Sequence, residues 1–293
     1  MSVYNEMKIF SDIKISSKLI ADVVIYRIKK REMANLFASI SLMLLSSFPI
    51  SEMAIRVFYG LCLNALVYFV NDYYDVEIDL QNPKRDRERA LFLSNHRFHA
   101  LFSLFFLFFL LFLWALFYSK GLFIPLMGGV ITCWLYSSWL KKVPIADIVS
   151  MALWGGIMST TGIKPDSTHG WLLIAQLALF SACFESVQTI RDRLGDKSAG
   201  IKTTAVFLGI TGARNLTKVL ICLSSVYAIL FLHRILGFFI AVPAFFLPIE
   251  QEKTEIFWNR IRVIFGLTWL AMILHFYIDK STFGFIYATI LKK

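Results

Sequence analysis

Charge is scarce in this sequence: 17% of its 293 residues are Asp, Glu, Lys or Arg, where a globular domain typically has about 25%. Too few polar groups remain to cover a water-facing surface, which excludes a soluble enzyme and a disordered polar chain. Cysteine is also sparse. Cys62, Cys133, Cys183 and Cys222 each stand alone in an apolar run, without CxxC spacing. That pattern excludes a thiolate metal ribbon, and the four read as small core residues. Five histidines are scattered without metal-ligand spacing. There is no low-complexity tract, long linker or second soluble domain. The first apolar run long enough to insert begins near Met33, behind a charged leader with no small-residue cleavage site, so no removable signal peptide is expected.

What the chain has in abundance is apolar length. Hydrophobic residues make up 57% of it, and the mean hydropathy is +0.64. At about 20 residues per crossing, spans are expected at 33–51, 53–71, 97–118, 121–139, 144–163, 170–190, 216–234, 236–249 and 259–278. The expected fold class is therefore an all-α integral membrane protein with nine transmembrane helices, forming one domain over 33–293. Residues 1–32 form a separate basic segment. In it Ile13, Ile15, Leu19, Ile20, Val23 and Val24 alternate with lysines in the pattern of an amphipathic helix on membrane lipid.

A net charge of +10 would suit nucleic acid, but the basic residues cluster between apolar runs, where they act as topology signals. No nucleic-acid partner is expected. With the N-terminus in the cytoplasm, 23 of the 30 Lys and Arg fall on the cytoplasmic side; the exceptions are Arg56, Lys120, Lys164, Arg234, Lys280, Lys292 and Lys293. The positive-inside rule then sends the C-terminus to the opposite side.

Two acidic clusters lie on the cytoplasmic face in this topology. The first, residues 71–89, continues directly from an apolar span. Asn71, Asp75 and Asp79 are spaced i, i+4, i+8 and form one helical stripe, with Asp72 one position away from Asn71. Like charges at that spacing destabilise a helix, so the stripe implies a cation. The second, residues 191–203, places Asp192 and Asp196 at i, i+4, with Gly195 and Gly200 loosening the chain beyond. Mg²⁺ takes oxygen ligands, usually one or two carboxylates with waters and substrate phosphates. The two clusters, with Lys141 and Lys142 beside them, suit Mg²⁺ bridging a diphosphate.

These residues carry a family resemblance. Asn71-Asp72-Tyr73-Tyr74-Asp75-Val76-Glu77-Ile78-Asp79 resembles the NDxxDxxxD signature of the UbiA-type membrane prenyltransferases. Asp192-Arg193-Leu194-Gly195-Asp196, with Gly200-Ile201-Lys202-Thr203-Thr204 and on to Gly209, is similar to that family's second motif. Tyr136-Ser137-Ser138-Trp139-Leu140-Lys141-Lys142 is similar to its tyrosine-to-LKR loop. The chain departs from the pattern where Lys84 to Arg89 leads into Ala90 rather than a proline, and where no proline follows Arg31. The resemblance implies helices around a central cavity. It also implies Mg²⁺-dependent transfer of an isoprenoid chain from a prenyl diphosphate to an acceptor, with Asn71, Asp75, Asp79, Asp192 and Asp196 on the metal-diphosphate complex.

Departure of a diphosphate from an allylic carbon develops charge on both fragments, so cations and Mg²⁺ must stabilise the leaving group. Arg85, Lys141, Lys142 and Lys202 are the expected cations. Aromatic faces stabilise the allylic cation, and Tyr73, Tyr74, Tyr136 and Trp154 are expected near the mouth. Asn64, Glu185 and Gln188 lie on the same helical faces, deeper in the membrane, and are expected to address the substrates. A small aromatic, quinone-precursor-like acceptor is the expectation, because the second motif through Gly209 is most like that of quinone-pathway members. Three alternatives stand beside it. A membrane terpene cyclase would use the same clusters without an acceptor. Phosphoribosyl transfer to a polyprenyl phosphate is suggested by Asn82-Pro83-Lys84-Arg85 and opposed by the second motif. A transporter is disfavoured because its sites usually lie near the midplane.

Overall fold

The computed structural model describes residues 3–30, 32–81, 86–248 and 250–278. Arg85, with the rest of 82–85, lies outside the described residues, as do Lys280, Lys292 and Lys293. Among the described residues all regular structure is helical. The helices are α1 (Val3–Lys29), α2 (Ala34–Leu45), α3 (Ile50–Gln81), α4 (Arg87–Asn95), α5 (Arg97–Tyr118), α6 (Phe123–Ser138), α7 (Ala146–Ser159), α8 (Thr168–Ser198), α9 (Thr204–Phe231), α10 (Arg234–Phe245) and α11 (Thr254–Ile278).

Local chemistry sets several boundaries. Pro49 cannot continue α2 and stands just before α3. Asp86 caps α4 by accepting from the Arg89 amide at 3.1 Å, and Ser167 caps α8 by accepting from the Gly170 amide at 3.0 Å. Gly209 breaks the regularity of α9 with φ 68° and ψ 175°, a conformation open to glycine and costly for other residues.

Among the described residues six helices are long and apolar enough to cross a membrane: α3, α5, α6 with its preceding turn, α8, α9, and α11 with its preceding turn. The expected spans at 33–51, 144–163 and 236–249 hold helices of 12, 14 and 12 residues. Hydropathy sees an apolar run but not the turn that interrupts it. α3, at 32 residues, runs about 48 Å against a hydrocarbon core of about 30 Å. It is therefore longer than one crossing requires, and its last turns carry the first acidic motif.

Among the described residues two large apolar cores make up most of the interior, with a small third cluster of Ile190, Ala205 and Ala213. One gathers α3, α5 and α6 with Trp154 and Met158 of α7; the other gathers α8 to α11 with Leu42 of α2. α7 joins them through close contact with α8. A Cβ on Gly155 would stand 2.4 Å from that of Ser181, so only glycine permits this approach. Exposed Phe98, Phe102, Phe105, Phe109 and Phe117 give α5 an outer face suited to lipid. The leader forms α1, which packs on the bundle through one face. Leu19 and Val23 of α1 are buried in the first core, while Phe10, Ile13, Ile25 and Ile28 remain exposed and apolar.

Candidate active site

The stripe on α3 points toward the loop between α6 and α7. Asp75 Oδ2 accepts from Lys141 Nζ at 2.8 Å and from Asn71 Nδ2 at 3.2 Å. Ser137 Oγ donates to Asn71 Oδ1 at 3.2 Å, which fixes the amide's orientation. Asp79 lies one turn further along the stripe and is also buried. Lys141 comes from a short 3-10 turn, Leu140–Lys142, that follows directly on α6 and so carries the lysine across to α3. Lys142 and Lys202 are exposed.

The second cluster faces the same lysine. Asp196 lies within electrostatic reach of Asp192, Lys141 and Asp147, and Glu185 within reach of Asp147, Lys141 and Asp192. Asp196 Oδ2 accepts from Thr203 Oγ1 at 3.2 Å. Asp192 is held by both arms of Arg191 at 2.8 Å each. Deeper in the bundle, Tyr136 donates to Glu185 Oε1 at 3.0 Å, and Tyr136 is also within reach of Asp75. The structure thus brings Asn71, Asp75, Lys141, Tyr136, Glu185, Asp192 and Asp196 to one end of the bundle.

Other expected residues stand apart from this group. Asp72 gives one oxygen to Arg27 of α1 and the other to Arg89 of α4, the latter at 2.7 Å. Arg27 also bonds Glu32 at 2.6 Å and lies over the Tyr68 ring, while Arg89 lies over Tyr26. Burial works against the Arg27 charge, but Asp72 and Glu32 outweigh it and hold its pKa above the ordinary guanidinium value. Tyr73 packs edge-on to Tyr74 beneath Arg97, and Tyr74 accepts from Trp134 Nε1 at 2.8 Å. Trp154 packs against Tyr68, with its buried Nε1 finding no partner among the described residues. Asn64 donates to the Gly60 carbonyl at 2.8 Å, and its buried Oδ1 has no partner among the described residues. Gln188 is half-buried on the face of α8 that carries Glu185.

Among the described residues no three His, Cys, Asp or Glu side chains are gathered closely enough to hold a metal by themselves. Lys141 and Arg191 instead neutralise Asp75 and Asp192. The donor set still fits Mg²⁺, since it is entirely oxygen and Mg²⁺ needs only one or two carboxylates beside phosphate oxygens and waters. Sequence reasoning missed Asp147 and the Arg27–Asp72–Arg89 network. A carboxylate inside an expected span is costly to bury, and that signal marks Asp147. No local pattern joins residue 27 to residue 72.

An all-helical, membrane-spanning bundle with two carboxylate clusters converging on a lysine at one end is the class that this fold and site define. The chain belongs to the UbiA prenyltransferase family, whose model matches residues 34–259. Among curated proteins it is 30% identical over 179 residues to a lycopene elongase/hydratase of Haloarcula japonica, covering 54% of this chain and 56% of the relative. It is 27% identical over 150 residues to a digeranylgeranylglyceryl phosphate synthase of Methanospirillum hungatei, covering 48% and 51%. The chain thus matches about half the length of these relatives. Among solved structures, one reported for digeranylgeranylglyceryl phosphate synthase superposes with a TM-score of 0.65 at 19% identity, covering 90% of this chain and 98% of that one. A UbiA homolog from Archaeoglobus fulgidus bound to GPP and Mg²⁺ gives 0.64 at 16% identity, covering 85% and 98%. At these identities the likeness is one of fold.

Proposed function

We propose that this protein is a Mg²⁺-dependent intramembrane prenyltransferase, moving an isoprenoid chain from a prenyl diphosphate to an acceptor. The observation that carries this reading is the convergence of the α3 and α8 carboxylates on Lys141. Asn71, Asp75 and Asp79 would hold Mg²⁺ from one side and Asp192 and Asp196 from the other. Bound there, Mg²⁺ supplies charge neutralisation to the diphosphate. Asp72 belongs to a different role in this proposal, clamping α1 and α4 to the motif.

Lys141, Lys142, Lys202 and Arg85 provide positive charge for the oxygens of the leaving diphosphate. The bond between the allylic carbon and the diphosphate oxygen breaks, and its electron pair leaves with the diphosphate. The allylic carbon then bonds to the acceptor, which loses a proton. Tyr136 offers an aromatic wall to the allylic cation, and Glu185, oriented by Tyr136, is assigned to receive that proton. Asn64 and Gln188 lie deeper, on the path of the apolar substrates. Tyr73 and Tyr74 are assigned to the outer rim of the mouth.

We further propose nine crossings around a central cavity, with the short α2, α7 and α10 completing the bundle. The N-terminus and the active-site mouth are cytoplasmic and the C-terminus opposite. For the acceptor, the second motif favours a small aromatic molecule, whereas the relatives' names favour isoprenoid lipids. Purified protein incubated with Mg²⁺, a prenyl diphosphate and each acceptor class separates them through the identity of the product. A cyclised hydrocarbon or alcohol formed from the donor alone identifies a membrane terpene cyclase instead.

A further inference from the structure

We propose that Asp147 is a positioning residue, fixing the Lys141 loop against the Asp192–Asp196 segment so that both meet one diphosphate. This rests on the reading above that the two segments share that ligand. Asp147 stands in the first turn of α7 and is fully buried, yet it spends its side chain on a different helix. Oδ2 accepts from the Thr204 amide at 2.7 Å, and Oδ1 accepts from the Thr204 hydroxyl and from the Ile148 amide at 2.9 Å. The Thr204 hydroxyl in turn accepts from the Ile145 amide at 2.6 Å. These bonds stitch the residues just after Lys141-Lys142 to the residue just after Gly200-Ile201-Lys202-Thr203.

The backbone is held in an unusual conformation to close this ring. Ile145 has φ 72° and ψ −39°, a region that a β-branched side chain adopts at a cost. Such a conformation persists where the surrounding structure over-determines it, and it concentrates at functional sites. Here it directs the Ile145 amide at Thr204.

The ring's neighbours show what it positions. Lys141 reaches Asp75, and Thr203 donates to Asp196. A continuous run of bonded groups therefore leads from the first acidic cluster, through the start of α7 and Thr204, to the second. Asp147 already accepts three hydrogen bonds within the protein, so it acts through the loops it holds and not by touching a ligand. With Asp147 truncated, the two acidic clusters lose their fixed separation and the shared diphosphate site loosens.

The test uses the full chain in detergent with Mg²⁺ and a prenyl diphosphate. Asp147→Asn places an amide against a donor, Thr204→Val removes the hydroxyl, and Thr204→Ser restores it. In the folded Asn and Val variants the Mg²⁺ midpoint and the KM for the prenyl diphosphate rise about tenfold or more, the loss seen when a group orienting metal ligands is removed. Their kcat at saturation stays near wild type, and Thr204→Ser stays near wild type throughout. A wild-type Mg²⁺ midpoint in both Asn and Val variants overturns the proposal. Should both fail to fold, amide hydrogen exchange of the wild type decides. Protection of the Ile145 and Thr204 amides matching that of the α7 interior supports the ring, and exchange as fast as at exposed loop positions overturns it. Absence of Mg²⁺-dependent turnover in the wild type defeats the functional reading and with it the positioning role, while protected amides would still show that the ring exists.

Discussion

Replacing Asp72 with Asn distinguishes a clamp from a metal ligand, because the two roles move different observables. In the structure both Asp72 oxygens are bonded by arginines, and the side chains of Asp72, Arg27 and Arg89 are 3%, 8% and 15% exposed. Removing one partner of a buried ion pair costs about 3–5 kcal/mol, because the remaining charge stays buried without its counter-ion. Arg27 keeps Glu32 and the Tyr68 ring, and Arg89 keeps Tyr26, which places Asp72→Asn at the lower end, about 3 kcal/mol. At about 2 °C per kcal/mol for a chain of this size, the melting temperature in detergent falls by about 6 °C. The Mg²⁺ midpoint of turnover stays where it was. Arg27→Gln combined with Asp72→Asn costs less than the two singles added, with a coupling of about 1–3 kcal/mol. A variant that melts like wild type but needs about tenfold more Mg²⁺, a difference of about 1.4 kcal/mol, refutes the clamp and makes Asp72 a ligand.

Asp75→Ala and Asp192→Ala each abolish turnover while the protein stays folded in detergent, and chelation of Mg²⁺ matches them; either variant retaining more than about a tenth of the wild-type rate is not missing a required ligand. Lys141→Ala leaves Asp75 without its cation and slows turnover by about 10²-fold or more, on the scale of losing one charge-stabilising donor, measured under single-turnover conditions. In a Cys222→Ser background, cysteine at the exposed position Glu88 reacts with a membrane-impermeant reagent only in inverted vesicles, and cysteine at exposed Asp166 only in right-side-out cells. Labelling of both from one side contradicts the proposed topology.

Much of the site was legible because helical periodicity is local. Asn71, Asp75 and Asp79 fall on one stripe by spacing alone, and Glu185 shares its helix with Asp192, so both clusters followed from the chain. The pairing of Tyr136 with Glu185 crosses two helices, yet each residue was marked separately, Tyr136 by its place before the Lys141 loop and Glu185 as a carboxylate within a span on the face of Asp192. What escaped depends on docking. Asp72 differs from Asn71 by one position, about 100° around α3, and that turn carries it out of the stripe toward α1 and α4. The partners Arg27 and Arg89 belong to helices whose placement no local pattern specifies. Asp147 and Thr204 lie 57 residues apart and meet only because the tight α7–α8 contact and the α9 start bring them together. The short helices escaped for a different reason: an apolar turn and an apolar helix contribute alike to hydropathy, so α2, α7 and α10 each read as a longer span.

The central proposal, that one mouth holds a Mg²⁺-bound prenyl diphosphate between α3 and α8, is tested most directly by release of inorganic diphosphate. Purified wild-type protein would be supplied in turn with prenyl diphosphates of increasing chain length, with and without each acceptor class. Diphosphate release that requires Mg²⁺, is lost in both Asp75→Ala and Asp192→Ala, and is matched mole for mole by a prenylated acceptor is the expected result. Release that continues in chelator, or that survives loss of either carboxylate at the wild-type rate, contradicts the shared mouth.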